Sequence, residues 1–255
     1  MTAFLVLFRK ELLESWRTRR LPVVLVLFIL IGLISPLTAR YLPEILELAL
    51  GDELTVPIPP STAADAVLQL QKNFAQFGGL TAIILAMGLV ATEKERGTAA
   101  FVLVKPASRG AFLGAKLAAL GLVMALAITL GTILGWTYTA ILFEPMPALG
   151  WVGLAVLAWL ALMAWGSITF LASTVTGSAM AAAGVGVGAL LGLSLLAAIP
   201  TVGRWLPSGL DPSSLALATG LPVVTEDLVS AVIGTIALIA VGAVGALLAF
   251  RRQEI

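Results

Sequence analysis

Six apolar runs dominate this chain, each long enough to carry a helix across a bilayer. They are 21–41, 74–92, 111–143, 151–175, 179–200 and 228–250. A helical crossing of a hydrocarbon core about 30 Å thick takes ~20 mostly apolar residues. Backbone inside lipid must satisfy its own hydrogen bonds, which leaves helices or closed barrels. Runs this long and unalternating predict helices. Composition agrees: the 255 residues are 60% hydrophobic and only 11% charged, too little polarity to cover a water-soluble fold. The expected fold is a single all-α integral membrane domain, 1–255, with six transmembrane helices and both ends on one side.

Charge supplies the direction. Twelve of the fifteen basic residues, including Arg9, Lys10, Arg17, Arg19, Arg20, Lys94, Arg96, Lys105, Arg109 and Lys116, fall at the termini or between the second and third spans. Arg40, Lys72 and Arg204 fall on the other side, where acidic residues such as Glu44, Asp52, Asp65 and Glu144 collect. The excess of Lys and Arg inside places the termini and the 93–110 loop in the cytoplasm of a multi-pass plasma or inner membrane protein. Trp136 and Trp151 flank the short outer turn at Glu144–Pro147, where interfacial tryptophans belong; Trp159 and Trp165 lie deeper and are expected to pack.

The sequence contains no Cys and no His, so it offers no disulfide, thiolate, imidazole base or Cys/His metal site. No Asp, Glu, Lys or Arg lies near the centre of a span. A charge there costs about 2.5–3.5 kcal/mol, and pumps, ion-coupled carriers and voltage sensors retain one for their chemistry. An ion-coupled carrier built on backbone carbonyls stays open as an alternative. Glycines fill the spans instead: Gly131 and Gly135 in the third, Gly184, Gly186, Gly188 and Gly192 in the fifth, Gly242 and Gly245 in the sixth. Such faces predict close helix packing, or a surface that slides.

Residues 1–20 read as an amphipathic elbow helix in the headgroup plane. Phe4, Leu5, Phe8, Leu12, Leu13 and Trp16 share one face; Lys10, Glu11, Glu14 and Arg17 take the other. The 93–110 loop is the polar island between spans. Thr92 and Glu95 fit a capping box, an apolar stretch follows at 98–104, Lys105-Pro106 stops it, and Ser108 can cap the next helix. The expected product is a short helix lying along the membrane, with an apolar face at Phe101 and Leu103 that asks for a protein partner.

The pattern Glu93-x-Glu95-x-Gly97-Thr98, then Lys105-Pro106-Ala107-Ser108-Arg109, then Gly114-Ala115-Lys116 resembles the loop between spans two and three of type-2 ABC-transporter permeases. In that family the glycine and lysine adjoin; here Ala115 intervenes. The resemblance implies a coupling helix seated in a groove of a separate cytosolic ABC ATPase. Glu93, Glu95, Gly97, Thr98, Phe101, Pro106 and Arg109 would be its contacts, the two glutamates pairing with basic ATPase residues. ATP-Mg would sit on that partner, with no cofactor on this chain, which has no Walker A sequence. Two permease chains would pair, as homodimer or with a paralogue, in contact with membrane lipid and no nucleic acid. The outer segment 201–227 would form short re-entrant helices, Asp211 capping one of them. Export of an amphiphilic substrate is the expected function. The alternatives are a membrane scaffold that docks a cytosolic protein and, from the lack of paired reactive groups, least of all an intramembrane enzyme.

Overall fold

The computed structural model describes residues 2–50, 59–97 and 108–253, and no strand occurs among them. The leader forms α1 (Thr2–Arg17) and turns into α2 (Arg20–Leu50) through Arg19, whose left-handed backbone (φ 59°) ends the first helix. α2 continues beyond Tyr41 to Leu50 with Pro36 and Pro43 inside it.

The second span differs most from expectation. It begins at α3 (Ala63–Asn73), opened by a capping box in which Thr62 Oγ1 accepts from the Asp65 N–H and Asp65 accepts from the Thr62 N–H. It then passes through a π-helical turn at Phe74–Gly78 into α4 (Gly79–Met87) and, after a break, α5 (Ala91–Glu95). The loop between the first two spans, expected over 42–73, is therefore shorter, because helix enters it from both sides. The capping box expected at Thr92 does not form: the chain arriving from α4 already donates the Thr92 N–H to the Gly88 carbonyl, so Thr92 lies inside the turn. The expected loop helix over 98–104 lies outside the described residues.

The remaining elements are α6 (Arg109–Leu142), α7 (Ala148–Val175), α8 (Ala179–Leu196), the short α9 (Pro200–Gly203), a 3-10 turn at Pro207–Gly209, α10 (Leu210–Thr219) and α11 (Thr225–Arg251). Ser108 caps α6 as expected, its Oγ accepting from the Ala111 N–H at 3.1 Å. Among the described residues, six helical stretches are long and apolar enough to span: α2, the run from α3 to α5, α6, α7, α8 and α11. Asp211 sits within the first turn of α10 instead of at its cap, which is Gly209.

α7 is the central post, packed by α4, α6, α8, α10 and α11, while α2 pairs with α6. Glycine makes these approaches possible. A Cβ on Gly32 would lie 2.3 Å from the Gly131 carbonyl oxygen where α2 meets α6. One on Gly242 would lie 2.6 Å from the Ser167 oxygen where α11 meets α7, and one on Gly150 would lie 1.8 Å from the Leu217 oxygen where α10 docks. The packing face expected in the fifth span is realised only at Gly186; Gly184, Gly188 and Gly192 face open space because α8 is peripheral. Aliphatic side chains such as Ile133, Val156, Leu191 and Val244 cover the exterior. Lipid is as apolar as they are, so helix association rests on interior packing and hydrogen bonds.

Gly32→Val should therefore lower thermal stability in detergent by overpacking, about 1–3 kcal/mol or more. Gly188→Ala, in open space, should change it by less than ~0.5 kcal/mol. Equal losses from the two would refute the crossing geometry.

Candidate functional site

The end of the second span where the Glu93–Gly97 signature begins is held from both sides. Its helix breaks at Gly88–Val90, which leaves the N–H groups of Val90 and Ala91 without intrahelical partners. Ser173 on α7 accepts both, at 3.2 and 3.0 Å, acting as an N-cap supplied by a neighbouring helix. Lys94 reaches the Thr174 carbonyl at the end of α7, and Gln253 donates to that same oxygen at 3.1 Å. Exposed Glu95 accepts from the Ala179 N–H at 3.1 Å, where its negative charge meets the positive N-terminal end of α8.

Glu93 faces the opposite way, into a cluster of charges. Its Oε1 accepts from Lys116 Nζ at 2.8 Å and from Lys10 Nζ at 2.9 Å. Lys116 also meets Glu11 at 2.9 Å, and Lys10 meets Glu11 and Glu14 at 3.0 and 3.3 Å. Lys116 is only 2% exposed, and its ammonium also lies 5.0 Å from the Phe112 ring centroid. The carboxylate oxygens of Glu11, Glu14 and Glu93 lie within 4.8 Å of one another, a spacing suited to a cation, and the two lysine ammoniums occupy that role.

This clasp joins the leader, the second span and the third. It also corrects one residue of the expected polar face of α1: Glu11 is buried toward Lys116, while Leu5, Leu13 and Trp16 of the expected apolar face stay on the surface. A lone buried ammonium would be so costly that the leader turns its acid inward to meet it.

Burial by itself would lower the Lys10 pKa. Its hydrogen bonds to Glu93 and Glu11 and their charges outweigh that and hold the ammonium well above the usual lysine range. The sign follows: stability from a raised lysine pKa is complete below the unfolded value of ~10.4 and is lost only as pH climbs through the folded one. The Lys10 contacts thus persist throughout neutral pH.

Of the residues singled out in the sequence, Glu93, Glu95, Gly97 and Arg109 lie within the described residues; Thr98, Phe101 and Pro106 lie outside them. Gly97 has left-handed backbone (φ 67°), a conformation glycine takes without a Cβ clash. Arg109 holds the far end of the loop, donating to the carbonyls of Phe250, Arg251 and Gln253 at 2.9–3.3 Å. Phe250 and Arg251 end α11, where helix carbonyls lack intrahelical partners, and Gln253 lies two residues beyond it. Both edges of the 98–107 segment are therefore fastened to the bundle.

A second feature went unforeseen. A cleft of about 490 Å³ opens beside the π turn, between the second span, α7, α8 and α10. Gln76, on that turn and within an otherwise apolar span, is exposed and lines it with Ser194, Trp165 and Leu190. A bare amide at membrane depth belongs against a cavity or another chain rather than lipid. π turns insert a residue and recur at functional sites. The sequence signal available was Asn73 and Gln76 interrupting apolar residues. Gln71 fastens the outer edge, donating to the Asp211 carbonyl at 3.0 Å and to Ser214 on α10.

Lys116→Met should leave Glu11 and Glu93 with only the half-exposed Lys10 ammonium between them and cost about 3–5 kcal/mol. Combining it with Glu11→Leu and Glu93→Leu should recover most of that loss. Ser173→Ala should cost about 1–3 kcal/mol for each of the two N–H groups it strands. Thermal unfolding in detergent reads all three; a triple variant no better than Lys116→Met would refute the charge account.

Comparison with known proteins bears on the whole arrangement. A relative, the uncharacterized transmembrane protein YxlG of Bacillus subtilis (strain 168), is 26% identical over 221 residues, 82% of each chain. The family described as ABC-2 family transporter protein matches residues 5–206, from the leader through the fifth span. With six helices of spanning length and a match over most of its residues, this multi-pass membrane protein belongs to the ABC-2 transporter family, as a transport permease.

Proposed function

We propose that the chain is the membrane subunit of an ABC exporter and takes its motion from a separate cytosolic ATPase through the segment 98–107. The observation that carries this reading is the double fastening of that segment. A lever transmits force only if its base does not yield, and this base is held to four elements: by Ser173 and Lys94 to α7, by Glu95 to α8, and by Glu93 to α1 and α6. Arg109 fastens the other edge to α11. Family membership supports the kind of partner.

The residues then divide by role. Thr98, Phe101 and Pro106 contact the ATPase, Phe101 as the apolar anchor. Glu95, exposed at the edge, both caps α8 and pairs with a basic ATPase side chain. Glu93 and Arg109 position the segment. Nucleotide and Mg stay on the ATPase, whose closure pulls both fastened edges and tilts the spans tied to them.

The cleft at the π turn forms one wall of the pathway, and a second permease chain facing α8 and Gln76 completes it. The helix α10, docked on α7, and the short α9 before it close its outer end as re-entrant elements. Apolar walls with a few amides and hydroxyls suit an amphiphilic substrate.

The test is to purify the tagged full chain from its native cell and identify retained nucleotide-binding proteins by mass and ATP hydrolysis. Phe101→Ala should reduce the retained ATPase at least tenfold, and Glu95→Gln severalfold, with the chain still folded. Recovery of no ATPase, or undiminished recovery with both variants, would eliminate the coupling assignment.

A further inference from the structure

The cleft beside the π turn carries charge at one edge and hydrocarbon beyond it. Asp211, in the first turn of α10, and Lys72, near the end of α3, both line it and both are exposed. Gln71, the neighbour of Lys72 in sequence, donates to the Asp211 carbonyl at 3.0 Å, which sets the two charged residues on the same edge. That edge is level with Leu157 of α7, which packs against Leu210. Farther along α7, toward the Glu93–Arg109 end, Leu162 and Trp165 form the wall with Leu190 of α8, and Gln76 and Ser194 are the polar groups among them. From Leu157 to Trp165 is ~12 Å of helix.

Asp211 is open to the cleft yet enclosed by protein on most sides, and burial pushes its carboxyl up to about 6. No cation offsets that burial. Neither Asp211 nor Lys72 takes part in an ion pair among the described residues. The 51–58 stretch that follows the first span contains no Lys or Arg. At pH 7 the carboxyl is still mostly ionised. A charge enclosed in this way is costly unless a partner comes to it. At the other end of the bundle the Lys116 clasp shows the usual outcome, each enclosed charge meeting an opposite one.

We propose that this cleft binds a zwitterionic amphiphile, its ammonium on the Asp211 carboxylate, its anionic group on the Lys72 ammonium and its single apolar chain along Leu162, Trp165 and Leu190. The charges choose this occupant. A cationic amphiphile would bring its charge beside Lys72, and an anionic one beside Asp211. A neutral one would leave both residues without partners. A head carrying both charges answers an edge that carries both, and the apolar walls take the tail. The volume of about 490 Å³ falls within the ~300–1,000 Å³ of sites that hold small molecules. That this ligand is cargo rests on the export function proposed above; that it binds does not.

The experiment is native mass spectrometry of the full chain, purified in an uncharged maltoside detergent, with three probes that share one dodecyl chain. Dodecyl phosphoethanolamine carries both charges, dodecylammonium only the cation, and dodecyl methyl phosphate only the anion. Wild type should retain one phosphoethanolamine probe per chain and about tenfold less of either other probe, the value of one charge-assisted contact. Asp211→Asn should lower retention of the phosphoethanolamine probe to the methyl phosphate level and leave methyl phosphate unchanged. Lys72→Gln should lower it to the dodecylammonium level and leave dodecylammonium unchanged. Thermal melts verify that each variant is folded; if Asp211→Asn is not, the three-probe comparison on wild type and Lys72→Gln decides.

Equal retention of the three probes would overturn the proposal, as would strongest retention of dodecylammonium. A preference for the phosphoethanolamine probe that survives both substitutions would place its head elsewhere and overturn it too. Asp211→Asn that lowers only the melting temperature would leave Asp211 as a partner of the α10 helix dipole and have the same effect. No ATPase takes part in this measurement. A chain that prefers the phosphoethanolamine probe but retains no ATPase would remove the coupling assignment alone. A chain that retains its ATPase but holds the three probes alike would remove the ligand assignment alone.

Discussion

Hydrocarbon supplies no hydrogen-bond partner, and nearly every irregular feature of this bundle follows from that. Where the second span breaks at Gly88–Val90, Ser173 reaches across from α7 to take the two freed N–H groups. Where hydroxyls occur inside helices, most turn back on their own backbone. Where Lys116 enters the bundle among apolar helices, two carboxylates from distant parts of the chain converge on it. Backbone approaches too close for any Cβ recur at Gly32, Gly150 and Gly242, because packing must supply what hydrophobic association supplies in water.

Those bonds concentrate at one end. The signature Glu93–Gly97 lies where the leader, the second, third, fourth, fifth and sixth spans are within one or two hydrogen bonds of one another. Strength there has a functional sense in a family of transport permeases. The two edges of the segment between Gly97 and Ser108 are bonded to α1, α6, α7, α8 and α11. The opposite half holds the cleft beside the π turn, and α8 is largely uncovered along its length.

Much of the fold was legible in residues. Continuous apolar runs located six spans, since lipid tolerates only self-bonded backbone. Ser108 announced its cap because a Ser before a helical run has few other uses. The misreadings share a cause. Glu11 was placed on the polar face of α1 because periodicity reports only that helix's own two faces; what turned it inward is Lys116, about a hundred residues away. Thr92 and Glu95 matched a capping box, but the turn was already supplied by helix arriving from α4. The π turn and the cleft left only the trace of Asn73 and Gln76 among apolar neighbours.

Sequence by itself determined that the chain must cross a bilayer six times, which end carries its positive charge, and that its polar signature lies between the second and third crossings. Length, hydropathy and charge are local sums, and the bilayer reads them locally. Tertiary structure alone decided which helix stands at the centre, which glycines are filled against and which face open space, and that Glu93 is spent inside the molecule on Lys10 and Lys116. Those outcomes depend on which surfaces meet, and in lipid every apolar helix face is equally at home until shape and unpaired polar groups choose among them.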